Sequence, residues 1–250
     1  MLSHNEHRHP YWLSRTELLT GKEALARIRE AHVLIVGLGG VGSFAAEYIC
    51  RAGVGKMTIV DGDTVDASNR NRQLQALHST EGQEKVQLMA NRLLDINPEL
   101  QLRTVGHFMN PERFEALFDQ HIDYAIDAID TFAPKIELIK QCTSRGIPLI
   151  SSMGAGGKFD PEKVHTTDIA KTHTCPMAQE LRKQLRRAGI KVKFKAVFST
   201  EMPRRQSLQM VEGATNKKSF FGTISYLPSL FGCHCAANVI QDLMNDNLTQ

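Results

Sequence analysis

No Cys-x-x-Cys pair occurs in the 250 residues; the five cysteines stand at 50, 142, 175, 233 and 235 without regular pairing. That argues against a disulfide framework and for a reducing, cytoplasmic setting. Cys233 and Cys235 stand two apart in a helical stretch and point to different faces of it, so zinc is not expected. None of the four tyrosines has a lysine four residues on. The Tyr-x-x-x-Lys constellation of an NAD-dependent oxidoreductase is therefore missing. No basic, apolar, small-residue leader opens the sequence, so secretion is not expected. The most apolar late stretch, 220–240, is broken by Gly222, Pro228 and His234. It falls short of the run of about 20 apolar residues that a membrane span needs, and no membrane association is expected. There is neither an internal repeat nor a low-complexity linker.

What is present centres on residues 32–42, HVLIVGLGGVG. The apolar, branched run 33–36 reads as a buried strand, and residues from Ser43 onward start a helix. Between them, Gly37 allows a tight turn, Gly39 admits a phosphate to the backbone, and Gly42 lets helix and strand pack closely. A helix N-terminus offers free N–H groups and partial positive charge to an anion. Asp61 closes a second apolar run about 20 residues on, where such folds set an acid against a ribose hydroxyl. The turn and the acid together predict a nucleotide site.

From residue 32 strands and helices alternate. Strands are expected at 57–60, 102–108, 123–130 and 148–152, and helices at 80–96, 111–118 and 134–145. The alternation predicts an α/β fold: a Rossmann-like, mostly parallel sheet with helices on both faces. Ligands in such sheets sit beyond the carboxyl ends of the strands, where Gly37, Asp61 and Asp130 fall. Ahead of the core, residues 1–31 read as a polar tail with His4, His7 and His9, followed by an amphipathic helical arm bearing Leu18, Leu19, Leu25 and Ile28. The nucleotide-binding core is expected over 32–155. A C-terminal extension of short strands and helices, 156–250, belongs to the same domain. It holds a basic helix at 176–188 and a closing helix at 229–244.

The net charge of +3 is unevenly spread. Between Lys171 and Lys218 there are twelve Lys or Arg against three Glu, a charge of +9, leaving −6 on the remainder. A basic region on an acidic body suits a polyanion, nucleic acid first; a solvated helix face and loop would read the same way from charge alone.

The run after Asp61, DTVDASNRNRQ at 63–73, is not what a dinucleotide dehydrogenase needs past its second strand. A triphosphate suits it. Asn69 and Arg72 can reach phosphates from the carboxyl edge, Arg72 as a planar fork on two oxygens. Lys85 adds a mobile positive charge, and Asp130 can hold Mg²⁺ between phosphates. Arg70 reads as a surface charge and Asp127 as a supporting or strand-capping carboxylate. Cys50 and Cys142 read as core. Tyr11, Trp12, Phe220 and Phe221 could stack on bases, with core or dimer packing as the plainer reading.

GLGGVG, IVDGDTVDASNRNRQ, GQEKV, INPE and DAIDT together resemble the HesA/MoeB/ThiF family of the ubiquitin-activating-type superfamily. The resemblance spans residues 11–155 and implies homodimeric or pseudo-dimeric enzymes that use ATP and Mg²⁺ to adenylate a carboxylate. It implies a nucleotide-binding set of Gly37, Gly39, Gly40, Gly42, Asp61, Asp63, Asn69, Arg72, Gln73 and Lys85, and Asp130 as the Mg²⁺ ligand. In that family an arginine of the N-terminal arm crosses to the partner's site, and Arg15 matches it. The implied catalytic set is then Arg15, Arg72, Lys85 and Asp130.

Further on, GAGGKFDP, TDIAKT, VFSTE and GTISYLPSLFG are similar to the branch of the family that dehydrates N6-threonylcarbamoyladenosine in tRNA. That implies a tRNA partner whose modified adenosine stands next to the anticodon, and an acyl-adenylate on its threonine carboxylate. One departure, Thr174-Cys175-Pro176-Met177, leaves Cys175 without a role. Superfamily members that use a cysteine for thioester or persulfide transfer leave open a cysteine-desulfurase sulfur-relay partner. The competing readings are activation of a ubiquitin-like sulfur carrier, which predicts zinc cysteines, an NAD-dependent oxidoreductase, and a scaffold without activity.

Overall fold

Every side chain of β1 (His32–Val36) is buried, on both faces of the strand. Val33 and Ile35 enter one hydrophobic layer, and Leu34 and Val36 enter the other. A near-continuous apolar run is what a central parallel strand requires, because helices cover it on both sides. The computed structural model describes residues 9–191, 193–210 and 219–245.

β2 (Lys56–Val60) pairs with β1 in parallel, Val33 opposite Met57, and β3 (Gln101–Val105) pairs with β2. On the other side of β1 lie β4 (Tyr124–Asp127) and then β5 (Leu149–Ser152), both parallel. β7 (Lys195–Ser199) extends the parallel sheet, and β6 (Val164–Asp168) closes its edge in antiparallel pairing. The order β3-β2-β1-β4-β5-β7-β6 reverses direction beside β1. That is the switch point where a crevice opens at the strands' carboxyl ends.

On one face pack α2 (Lys22–Glu30), α3 (Gly42–Arg51), α4 (Lys85–Ile96) and α8 (Tyr226–Met244), through Ile28, Ile49, Leu93 and Phe231. On the other pack α5 (Pro111–Glu115), α6 (Phe132–Ser144) and α7 (Pro176–Arg187), through Phe114, Leu138 and Leu181. A two-stranded ribbon, β8 (Leu208–Met210) and β9 (Ser219–Phe221), stands apart from the sheet. No described helix is long and apolar enough to cross a membrane.

Several expectations shift. Helix α4 begins at Lys85 rather than at residue 80. Gly82 has φ +81°, and Gly82 N–H bonds to Val65 O while Val65 N–H bonds to Gln83 O. Residues 80–84 are thereby used to pair with the 63–65 segment. Strand β4 ends at Asp127, so Asp130 sits three residues past the strand in a loop. His4 and His7 lie outside the described residues. His9 is not in a polar tail but buried, its Nδ1 3.2 Å from Arg29 Nη1.

The arm also divides. Leu25 and Ile28 of α2 are buried, whereas Leu18 and Leu19 of α1 (Ser14–Thr20) are 88% and 87% exposed. Leu13 abuts Gly53, just before β2, and Arg27 Nε donates to Met244 O at 3.1 Å. The arm thus lies at the amino ends of the strands, opposite the crevice.

Candidate active site

The turn after β1 is shaped by contacts that only glycine permits. Gly37 has φ +92° and donates to Val60 O at 2.8 Å. A Cβ on Gly42 would fall 1.7 Å from Gly37 O, so the helix meets the strand at glycine's distance. Gly40 is wedged between Pro228 of α8 and Arg72 O, at 3.0 and 3.1 Å from where its Cβ would stand. Gly39 differs: a Cβ there would meet only Gln73 Nε2, at 3.9 Å. Nothing in the protein needs that space, which suits a ligand. The N-cap of α3, Val41, supplies no side-chain cap. Ser43 N–H is taken by Gly39 O at 3.1 Å, so an anion would meet only those first N–H groups of the helix that are not bonded back to the turn.

Asp61 follows β2 directly. Its Oδ2 accepts from Leu38 N–H at 2.6 Å and its Oδ1 from Asp63 N–H at 2.8 Å, tying the acid to the turn. Burial pushes its carboxyl up, against Lys85 and the two N–H donors, which favour the ionised form. Lys85, the first residue of α4, is buried, with Nζ 3.0 Å from Asp63 Oδ2.

Arg72 is half-buried. Burial lowers its guanidinium below the ordinary value, and the charge of Asp130 opposes the shift. Its Nη1 donates to Ser68 O and Asn71 Oδ1, each at 2.9 Å. Asn69 is buried, its Oδ1 accepting from Asp66 N–H at 3.2 Å. Gln73 is buried, its Nε2 toward Gly39 and its Oε1 without a hydrogen-bond partner. A buried carboxamide oxygen without a partner is costly and is relieved by a bound donor.

The crevice therefore gathers the 37–42 turn, Asp61, Asp63, Asn69, Arg72, Gln73 and Lys85, with the charges of Asp130 and Arg72 coupled. Arg15 does not join them: it is exposed on α1, at the other end of the sheet. Among the described residues no group of three or more His, Cys, Asp or Glu could hold a metal ion by itself. Mg²⁺ asks less, one or two carboxylates plus phosphate oxygens, and the exposed Asp130 near the 37–42 turn fits that requirement.

Asp127 is more than a strand cap. Its Oδ2 lies 2.7 Å from Lys135 Nζ and 2.6 Å from Ser151 Oγ, all three groups buried. Its Oδ1 accepts from Ile129 N–H at 3.1 Å, and Lys135 Nζ donates to Ile129 O at 2.9 Å. The peptide groups just before Asp130 are thus gripped from both sides. The sequence did carry a signal for Lys135. It stands at i, i+3, i+4, i+7 with Leu138, Ile139 and Cys142, as a lysine in the buried stripe of α6.

Burial pushes the thiols of Cys50, Cys142 and Cys235 up to about 12, which leaves them protonated and unreactive at neutral pH. Cys175 is buried, and Cys233 is exposed on α8 while Cys235 faces inward. On α7, Ala178, Leu181 and Leu185 turn inward, leaving Lys183, Arg186 and Arg187 exposed. Lys217 and Lys218 lie outside the described residues. Tyr11 and Trp12 are exposed rather than core, as is Phe220.

Comparison with known proteins agrees with this fold. The pattern described as the ThiF family matches residues 13–250. The tRNA threonylcarbamoyladenosine dehydratase of Bacillus subtilis (strain 168) is 45% identical over 240 residues, covering 93% of this chain and 94% of that protein. A crystal structure of E. coli tRNA N6-threonylcarbamoyladenosine dehydratase in complex with ATP superposes with a TM-score of 0.83 at 35% identity. It covers 94% of this chain and 95% of that one. The molybdopterin-synthase adenylyltransferase of E. coli is 38% identical over 131 residues only, 52% of this chain and 51% of that protein.

Proposed function

This chain belongs to the ThiF family, and on that premise we propose that it is an ATP-dependent tRNA threonylcarbamoyladenosine dehydratase. It adenylates the threonine carboxylate of the modified adenosine and lets the ring close. The observation that carries this reading is the length of the match. Likeness to the dehydratases runs through nearly the whole of both chains, including the region past residue 155. Likeness to the adenylyltransferase stops at about half, which disfavours a sulfur-carrier substrate.

In the first step a carboxylate oxygen attacks the α-phosphorus of ATP, and pyrophosphate leaves. Asp61 takes the ribose hydroxyls. The 39–42 backbone takes the phosphates, with Asn69, Gln73 and Lys85 around it; Lys85 exchanges its pairing with Asp63 for a phosphate. Arg72, already partly desolvated, stabilises the charge that builds on phosphate. Asp130 would hold Mg²⁺, which neutralises phosphate charge when bound. In the second step the neighbouring ureido group closes on the acyl carbon and gives up an N–H proton. AMP leaves with one carboxylate oxygen, so the nucleoside loses the elements of water. Ring closure is intramolecular, and holding the two groups together supplies much of the acceleration. No protein nucleophile takes part.

The active unit is read as a homodimer in which Arg15 enters the partner's crevice. Its exposure far from its own site, beside the exposed Leu18 and Leu19, supports that arrangement. A cytoplasmic location fits the unpaired cysteines and a tRNA substrate. A cysteine-desulfurase partner would find Cys233 at the surface, but the reaction as written consumes no sulfur.

Nucleoside mass spectrometry of tRNA incubated with the protein, ATP and Mg²⁺ tests the reading. Threonylcarbamoyladenosine should lose the mass of one water, with one AMP formed per nucleoside. An unchanged nucleoside would overturn the assignment.

A further inference from the structure

Beside the nucleotide crevice the surface carries rings that adenylation leaves unused. Phe159 and Tyr226 are 43% and 45% exposed. A lone exposed aromatic residue is ordinary, but these two are held in place. Phe159 N–H donates to Glu201 Oε2 at 2.9 Å, and Asp160 N–H donates to the same oxygen at 2.8 Å. The carbonyl of Phe159 accepts from the Tyr226 hydroxyl at 2.8 Å. Just before it, the buried Lys158 ties Nζ to Gly154 O at 2.7 Å.

Over the Phe159 ring lies the guanidinium of Arg204, 4.5 Å from the centroid. Arg204 is fixed in turn, its N–H bonded to Gly157 O at 2.8 Å. Gly157 has φ +76°, and a Cβ there would come within 2.9 Å of Pro203 Cβ. The 157–160 and 203–204 segments therefore pack at glycine's distance and present two rings and a cation on rigid backbone.

The position of this group is as telling as its composition. Tyr226 opens α8, and two residues later Pro228 abuts Gly40 of the phosphate turn. Thr223 O accepts from Asn71 Nδ2 at 2.8 Å, next to Arg72. The rings stand on the rim of the crevice. Of the two acids beside the rings, Glu201 is occupied by backbone N–H groups and Asp160 lies 3.3 Å from Lys163 Nζ, while Arg205 adds an exposed positive charge. Flat apolar faces joined to guanidinium groups are what unpaired bases stack on, with their phosphates neutralised alongside. The aliphatic face of Leu18 and Leu19, better suited to a second copy of the chain, is at the opposite end of the sheet.

We propose that Phe159, Tyr226 and Arg204 form a stacking platform for the unpaired anticodon-loop bases of tRNA that flank the modified adenosine. The proposal rests on the function argued above but is tested apart from it. Anisotropy of a labelled, unmodified anticodon stem–loop RNA, without ATP, is compared with that of a fully paired RNA of equal length. Phe159→Leu and Arg204→Gln should each weaken stem–loop binding about tenfold. Phe159→Trp should stay within about twofold of the parent, and binding of the paired RNA should be unchanged in both Phe159 variants. Arg204→Gln, which also removes a charge, should weaken the stem–loop more than the paired RNA.

Thermal melts and sedimentation run alongside report folding and assembly. Unchanged stem–loop affinity in Phe159→Leu would overturn the platform. So would an equal loss for paired RNA, or a change of oligomeric state marking the rings as a contact between copies. If tRNA is dehydrated yet the variants bind like the parent, the platform falls and the function stands. If dehydration is absent while loop binding depends on Phe159, the function falls and the platform stands.

Discussion

Lys135 Nζ lies 2.7 Å from Asp127 Oδ2 with both side chains wholly buried. Opposite charges so placed stabilise little in net terms, but removing one strands the other in a low-dielectric interior. Lys135→Met should therefore cost about 3–5 kcal/mol in urea unfolding. Adding Asp127→Asn should recover part of that loss, because the stranded charge goes with it. Equal stability of the single variant and the parent would show the pair to be neutral.

Asp130 itself is exposed, in the loop that the pair holds. Asp130→Ala should leave the protein folded while abolishing ATP-dependent turnover. Pyrophosphate release and a thermal melt on one sample separate the two effects. A fully active variant would remove Asp130 from the mechanism.

Arg15 is predicted to act across a dimer. Arg15→Ala and Asp130→Ala should each be inactive alone. Co-produced with different tags, they should regain about a quarter of parental activity, since half the dimers are hybrids with one intact site in two. No recovery in the purified hybrid would argue against the crossing arm.

His32 makes folding pH-dependent. Its Nδ1 faces His121 O at 2.7 Å, and a carbonyl only accepts, so Nδ1 carries the proton. Nε2 then takes the Thr58 hydroxyl at 2.9 Å. Burial, the largest cause, lowers its pKa from 6.5, against the His121 carbonyl and Asp123. The unfolded chain therefore takes up the proton first as pH falls. The stabilising contribution is complete above 6.5 and declines below it, down to the folded value. Denaturation midpoints measured across that window should fall with pH in the parent and lose this component in His32→Gln.

Much of this was legible from residues alone. The unbroken apolar run of β1 and the glycine spacing identified the central strand and its turn, because burial on two faces and backbone contact leave few residue choices. Asp61 could be read for the same reason, one residue past a strand. The rest depended on distance in space. Asp127 and Asp130 look alike in sequence, and only the packing of α6 makes one a buried partner of Lys135 and leaves the other exposed. The late start of α4 followed from pairing between 63–65 and 82–83, which no helical pattern announces. Phe159, Arg204 and Tyr226 come from three separate segments and meet only when the 157–160 loop closes on them.

The six-residue turn is subject to two kinds of selection at once. At Gly37 and Gly42 a side chain collides with the protein's own backbone, so inheritance of glycine there is enforced by folding and would persist in a descendant that had lost its activity. At Gly39 the protein offers no such obstacle, so under the proposed function glycine there would be held only by a nucleotide's need for the space. Drift at position 39, with 37 and 42 intact, would mark a lineage that has kept the scaffold and abandoned the chemistry.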